Sequence, residues 1–158
     1  FSNHLTAADK EERKKGLEEL AQKFINSEIG GAKNQKDAIS EYYNLKDKDE
    51  FFSQFANDFD MNNMNSKELA LLEVIIHHAD FIDFDDKVKY GLKINTIGAM
   101  LRLDATDLTG ITDENELWDY RGNVPRLLRR LYNANESENK VSTLELIRMV
   151  EQIQSFRA

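Results

Sequence analysis

A chain of 158 residues has the length of a single domain with its own core. It contains no Cys, which excludes disulfides, thiolate metal centres and cysteine nucleophiles, and its 41% hydrophobic and 32% charged residues exclude a disordered chain. A net charge of −8 disfavours non-specific binding to nucleic acid, and no apolar run approaches the ~20 residues that span a bilayer.

These limits lead us to expect a cytoplasmic protein that is not embedded in a membrane. The first residue is Phe1 rather than Met, so we expect the chain to begin inside a longer product or after a processing cut. The charge is unevenly spread. Residues 1–66 carry 9 basic and 13 acidic side chains, 67–120 carry 5 and 12, and 121–158 carry 7 and 4, leaving −4, −7 and +3. The one positive region is therefore C-terminal, where an acidic partner would be steered.

Thr6 with Asp9 has the spacing of an N-cap followed by an acidic third helical position, which satisfies orphan amides and suits the helix dipole. This predicts a first helix, polar and frayed or extended over residues 1–15. Further along, Leu17, Leu20, Ala21, Phe24 and Ile25 share one face, and Gly30-Gly31 is the expected stop. A short second helix is predicted over Asp37–Leu45. Asp47 and Glu50 repeat the cap spacing, and Phe51, Phe52, Phe55 and Phe59 form an aromatic stripe expected to be core.

After the polar break Asp60–Asn65, Asn65 and Glu68 cap a central helix reaching Ile82. Its apolar residues sweep most of the circumference, so it should be buried on most sides. Val88, Tyr90, Leu92 and Ile94 alternate like a strand, while Phe81, Phe84, Val88 and Leu92 fit a helix. No second alternating run is available to pair with, so a helix over Asp85–Leu103 is predicted, followed by a loop over Asp104–Thr112.

Thr112, Asp113 and Glu116 start a short helix carrying Leu117, Trp118 and Tyr120, which ends at Gly122. Pro125 then opens another to Tyr132, since a first turn tolerates a missing amide. Ser142 and Glu145 form the capping box of a last helix, after a polar loop over Asn133–Lys140. The expected architecture is all-α: one compact domain, residues 1–158, with six to eight helices around the buried central one.

Candidate chemistry is sparse. Glu73, His77 and Asp80 stand at i, i+4 and i+7, and imidazole with carboxylates suits zinc, iron or manganese. A metal needs converging ligands from a second element, and none is visible, so a solvated face with an ion pair is preferred and no metal or cofactor is expected. A metal-dependent enzyme built on this stripe is the first alternative. His78 lies in the apolar arc, as a core histidine bonded to a neighbouring carbonyl.

Asp80, Asp83, Asp85 and Asp86 fail the EF-hand pattern, because the sixth and twelfth places from Asp80 hold Asp85 and Gly91. Ala79-Asp80 followed by Phe84-Asp-Asp86 and a helix resembles the metal-associated acidic turn of the TerB family of helical tellurite-resistance modules. The likeness covers a small part of the chain, lacks that turn's Gly and differs in the spacing to the next acidic loop. Neither metal nor activity is carried over from it.

Arg126, Arg129 and Arg130, with Arg121 just before and Arg102 as a further candidate, present guanidinium groups suited to an acidic partner or phosphate. The competing expectation is internal pairing with the acidic middle segment, residues 67–120, with Asp83, Asp85 and Asp86 as the named candidates. Trp118 and Tyr120 lie nearby in sequence, and Arg, Trp and Tyr are the types that most often anchor interfaces.

No phosphate loop, dinucleotide fingerprint, serine elbow or zincin motif occurs. The sequence thus reads as a non-catalytic protein-interaction module of regulatory, adaptor or inhibitor type. Its expected partner surface is Arg121, Arg126, Arg129, Arg130, Trp118 and Tyr120. A nucleic-acid accessory protein using the same arginines is the second alternative.

Overall fold

Polar side chains just ahead of the helices set where four of them begin. Asp47 accepts from the Glu50 amide, Asp113 from Glu116 and Asn123 from Arg126. Asn65 and Glu68 complete the reciprocal capping box read from the sequence. The computed structural model describes residues 7–157; the expected Thr6 cap lies outside them.

In chain order the described elements are α1 (Ala7–Ile25), α2 (Ala32–Ser40), α3 (Lys48–Asp58), β1 (Met64–Asn65), α4 (Ser66–His78), α5 (Phe84–Thr109), α6 (Glu114–Asp119), β2 (Arg121–Gly122), α7 (Val124–Ala134) and α8 (Ser137–Ser155). They form one compact all-α domain with α4 at its centre. α4 packs against α5 and α1, and also touches α2 and α6, while α3, α7 and α8 close the far side.

Leu69, Leu71, Leu72, Ile75 and Ile76 of α4 are almost wholly buried, each contributing about 1.5–3 kcal/mol of transfer free energy. The α3 stripe is core, as its composition predicts. Phe51, Phe52, Phe55 and Phe59 are all buried, and they join Tyr43 and Phe81 in a ring network with neighbouring centroids 4.8–6.1 Å apart.

Several boundaries depart from expectation, each for a local reason. The polar N-terminal part of α1 is tied down rather than left to fray, because Arg13 makes a two-pronged bond to Asp58 and donates to Tyr42 O at 2.8 Å. α1 ends at Ile25, before the glycines, in a turn where Ser27 takes φ 56°. α2 sits earlier than Asp37–Leu45, since the chain turns off at Tyr42 and Tyr43, whose amides both bond to Ile39 O.

α4 stops at His78 instead of Ile82. Ala79 is extended, and the Asp80 amide is drawn away to Leu45 O at 2.8 Å. The expected loop after Leu103 is helix. α5 runs on to Thr109 and ends only at Gly110, whose φ of 74° suits a residue without Cβ. Ser142 is no cap: its hydroxyl bonds back to Asn139 O within α8, which starts at Ser137.

A two-residue antiparallel bridge, Met64 with Gly122 and Asn65 with Arg121, was not expected. It is too short to show alternation in sequence. It crosses directly over Leu101, whose Cδ1 lies 2.6 Å from where a Gly122 Cβ would sit. The residues expected to form a helix rather than a strand, Val88–Ile94, lie inside α5.

Candidate functional site

Helix α5 has a closed side and an open side. Tyr90, Ile94, Ile97, Leu101 and Ala105 face the core, but Phe84, Val88, Leu92 and Leu103 are 43–72% exposed. The last four positions fall within one arc of a helix. Apolar residues scattered singly on a surface need no explanation, whereas a contiguous stripe does.

Val88 and Leu92 of that stripe line a groove of about 730 Å³. Phe24 and Ile25 of α1 form one wall, Ala70 and Val74 of α4 the floor, and Val88, Gly91 and Leu92 of α5 the other wall. α4 and α5 run antiparallel, so the groove is ordered along its length. Ser66 bonds to Gly98 O, Glu73 lies beside Asn95 and Gly91, and His77 and Lys87 come last. Trp118 of α6 lines the groove and the small recess beyond it, which Gly98 and Arg102 share.

The polar groups are few. Glu73 is half-buried at mid-length; burial raises its carboxyl above the usual range, opposed by a bond from Asn95 and by the proximity of His77. His77 is exposed and meets the His78 ring edge to face at 5.0 Å.

Behind it, His78 is buried as a core histidine, and its carbonyl partner is the Gln35 side chain at 2.8 Å. Gln35 Nε2 donates to Ile29 O, so its Oε1 faces the ring and accepts from Nε2–H. Burial, then His77, Lys36 and Lys87, lower the His78 pKa.

At the Trp118 end, the Arg102 guanidinium stacks over the indole at 4.2 Å. It is folded back along α5, with Nη1 only 3.4 Å from where a Gly98 Cβ would be. Among the described residues it has no carboxylate at ion-pair distance, and burial lowers its pKa.

The arginines expected to bind a partner are arranged differently. Arg121 grips Glu68 through both nitrogens, at 2.9 and 3.3 Å, and also Asn63 O. Arg129 pairs with Glu151 at 3.0 Å, and Arg130 with Asp104 at 2.6 Å. Internal pairing with the acidic middle segment was the competing expectation: Glu68 and Asp104 belong to that segment and Glu151 does not, while the named candidates Asp83, Asp85 and Asp86 are not the partners found. Arg126 is exposed and, among the described residues, has no ion-pair partner. Tyr120 is half-buried against the core.

The Glu73, His77 and Asp80 stripe does not form as such. α4 ends before Asp80, which pairs instead with Lys36 at 2.7 Å. No group of three or more His, Asp or Glu able to hold a metal ion occurs among the described residues. Glu73 and His77 nonetheless line the groove, so two of the three positions singled out in sequence belong to the site for a different reason.

Trp118, named in the expected partner surface, also lines the groove; the other lining residues were missed, although the Phe84, Val88, Leu92 spacing pointed toward Val88 and Leu92. Fold and groove together define an all-helical domain with an open apolar furrow and cations toward both ends. No family model, characterised protein or solved structure matches the chain.

Proposed function

We propose that this protein is a non-catalytic interaction module, of regulatory, adaptor or inhibitor type, that takes the apolar face of a partner helix into the furrow between α1, α4 and α5. The observation that supports this most is the furrow itself. A volume of about 730 Å³ is lined by Phe24, Val74, Val88 and Leu92, and exposed Phe84 stands one turn before Val88 on α5. Helix-in-groove recognition uses such a surface, with anchors on the incoming helix at i, i+3, i+4 and i+7. The titratable groups lining it, Glu73, His77 and Lys87, suit the polar edge of an amphipathic helix.

The test is a titration of the 15N-labelled protein with a helical peptide bearing leucines at that spacing. Amide shifts should concentrate at Ala70, Val74, Val88 and Leu92, and Val88→Glu should abolish them. Shifts confined to α7, around Arg126 and Arg129, would place the interaction on the arginine face and overturn this assignment.

A further inference from the structure

The cleft between α4 and α5 continues past the end of the open furrow. Ala70, Glu73, Asn95 and Trp118 line the furrow and also the recess of about 40 Å³ beyond it, which reaches on to Ser66 of α4 and Gly98 of α5. From Lys87 to Arg102 the α5 wall runs about 22 Å at 1.5 Å per residue, and the part from Asn95 to Arg102 is about 10 Å of that. Over this second part lies α6, which packs on both α4 and α5. One half of the cleft is open, and the other carries a short helix of the chain itself with an indole as its anchor.

The attachment of α6 is slight. It is six residues long and buries none of them, and a helix of that length does not hold by itself in water, so its helical state depends on being docked. It is tied to the cleft by the Arg102 guanidinium over the Trp118 ring and by an ion pair of Lys67 with Asp119 at 3.3 Å. The Asp119 side chain is 62% exposed, so that pair contributes little.

The two ends of the segment are better defined. On one side α5 stops at Gly110, with φ 74° and open space where a Cβ would sit. On the other, Arg121 holds Glu68 and Asn63 O, and Gly122 pairs with Met64. Between them, residues 111–120 include no buried residue. A segment fixed at its ends and shallowly docked in the middle belongs to the low-stability parts of a fold that open locally.

We infer that α6 is a built-in plug of the furrow: docked, its Trp118 closes the Ser66 and Gly98 half of the cleft, and swung out between Gly110 and Arg121 it opens the whole length to a partner helix of about four turns. This rests on the helix-binding reading above and adds how access to that site is controlled. A long partner helix binds only the open state, so its apparent affinity falls in proportion to the open fraction. A helix of about two turns fits the half that is already open, beside Val74 and Val88, and is indifferent to α6.

The experiment titrates two stapled, leucine-faced and otherwise neutral peptides, of about two and four turns, against the full chain and two variants. Asp119→Lys keeps the indole and turns its ion pair with Lys67 into repulsion. For an open fraction of about one tenth, it should tighten the long peptide by close to tenfold and leave the short one unchanged. Trp118→Ala, which removes the plug outright, should tighten the long peptide as well. Trp118 is the sole tryptophan, so in the parent its fluorescence should be quenched more by acrylamide once the long peptide has displaced it. Without peptide, the Leu117 and Tyr120 amides, bonded to Asp113 O and Glu116 O, should exchange hydrogen faster than those of α5.

Equal affinity of the long peptide for all three proteins, with Trp118 less quenched on binding, would overturn the plug and leave the helix-binding reading standing, with Trp118 as a fixed end wall. Leu117 and Tyr120 amides as protected as those of α5 would overturn it too. If neither peptide binds any of the three proteins, the helix-binding reading falls, and a plug with nothing to exclude falls with it.

Discussion

Helices α4 and α5 lie side by side and are both rich in apolar residues, yet they use them differently. Over its 13 residues α4 buries Leu69, Leu71, Leu72, Ile75 and Ile76, with α1, α2, α5 and α6 all in contact. α5 is twice as long, at 26 residues. It buries one side on the core and leaves Phe84, Val88, Leu92 and Leu103 in solvent. The contrast separates apolar surface that holds the domain together from apolar surface left over once it has folded.

The largest expected effect comes from the closed helix. Leu72→Ala removes a side chain that is 1% exposed and should cost about 2–5 kcal/mol, read as a lower midpoint in urea denaturation. A cost below about 1 kcal/mol would mean that α4 is less central than its burial indicates.

Next is the network that anchors α1. Asp58 accepts from Arg13 through both oxygens and from the Tyr43 hydroxyl at 2.6 Å. Asp58→Ala removes the carboxylate that a largely buried guanidinium and a buried phenol share, at a cost of about 3 kcal/mol. Hydrogen exchange should show faster opening of α1 than of α8. Uniform loss of protection would indicate that α1 is not a separable element.

A smaller effect follows from protonation. Burial lowers the His78 pKa below its ordinary 6.5, so the fold favours the neutral ring. The stability this contributes is present above pH 6.5 and is lost as the pH falls through the folded value. Glu73 acts in the opposite sense, because its raised carboxyl binds protons more readily in the fold than in the unfolded chain. The comparison is therefore between the protein and His78→Gln, whose stability should decline less as pH falls below 6.5. Parallel pH profiles would remove His78 as a contributor.

The arginine face should matter least to stability. Arg129 and Glu151 are both about half exposed, and exposed pairs contribute about 0–1 kcal/mol. The double variant Arg126→Glu with Arg129→Glu should thus shift thermal stability by less than about 1 kcal/mol. Earlier melting by more than that would show the face to be structural. Loss of helix binding in this variant would move the partner site there.

Much of the fold is legible in local sequence, where the determinants are a few residues apart. The Asn65 and Glu68 spacing predicts the α4 start, the phenylalanines of α3 predict its buried face, and the lack of a second alternating run rules out a paired strand at Val88–Ile94. What is not legible depends on distant partners. Leu45 O captures the Asp80 amide and ends α4 early. Glu68, Glu151 and Asp104 claim arginines for which Asp83, Asp85 and Asp86 were the named candidates, a choice that only the packing of α4, α5, α7 and α8 decides.

The furrow belongs to the same class, because its walls come from Phe24, Val74 and Leu92, far apart in the chain. Glu73, His77 and Trp118 were singled out in sequence for other reasons, and of its apolar walls only the exposed stripe on α5 left a trace. It took the form of a helical spacing that competed with a strand pattern.

The most direct test of whether that stripe is surplus to folding is the thermal unfolding of Phe84→Ser combined with Leu92→Ser. These side chains are 72% and 65% exposed, so the account predicts a melting temperature within about 2 °C of the parent, equivalent to less than about 1 kcal/mol at this chain length. The titration with the leucine-faced peptide should fail in the same variant. A fall of about 6 °C or more would contradict the account, showing that the outer face of α5 holds the domain together just as α4 does.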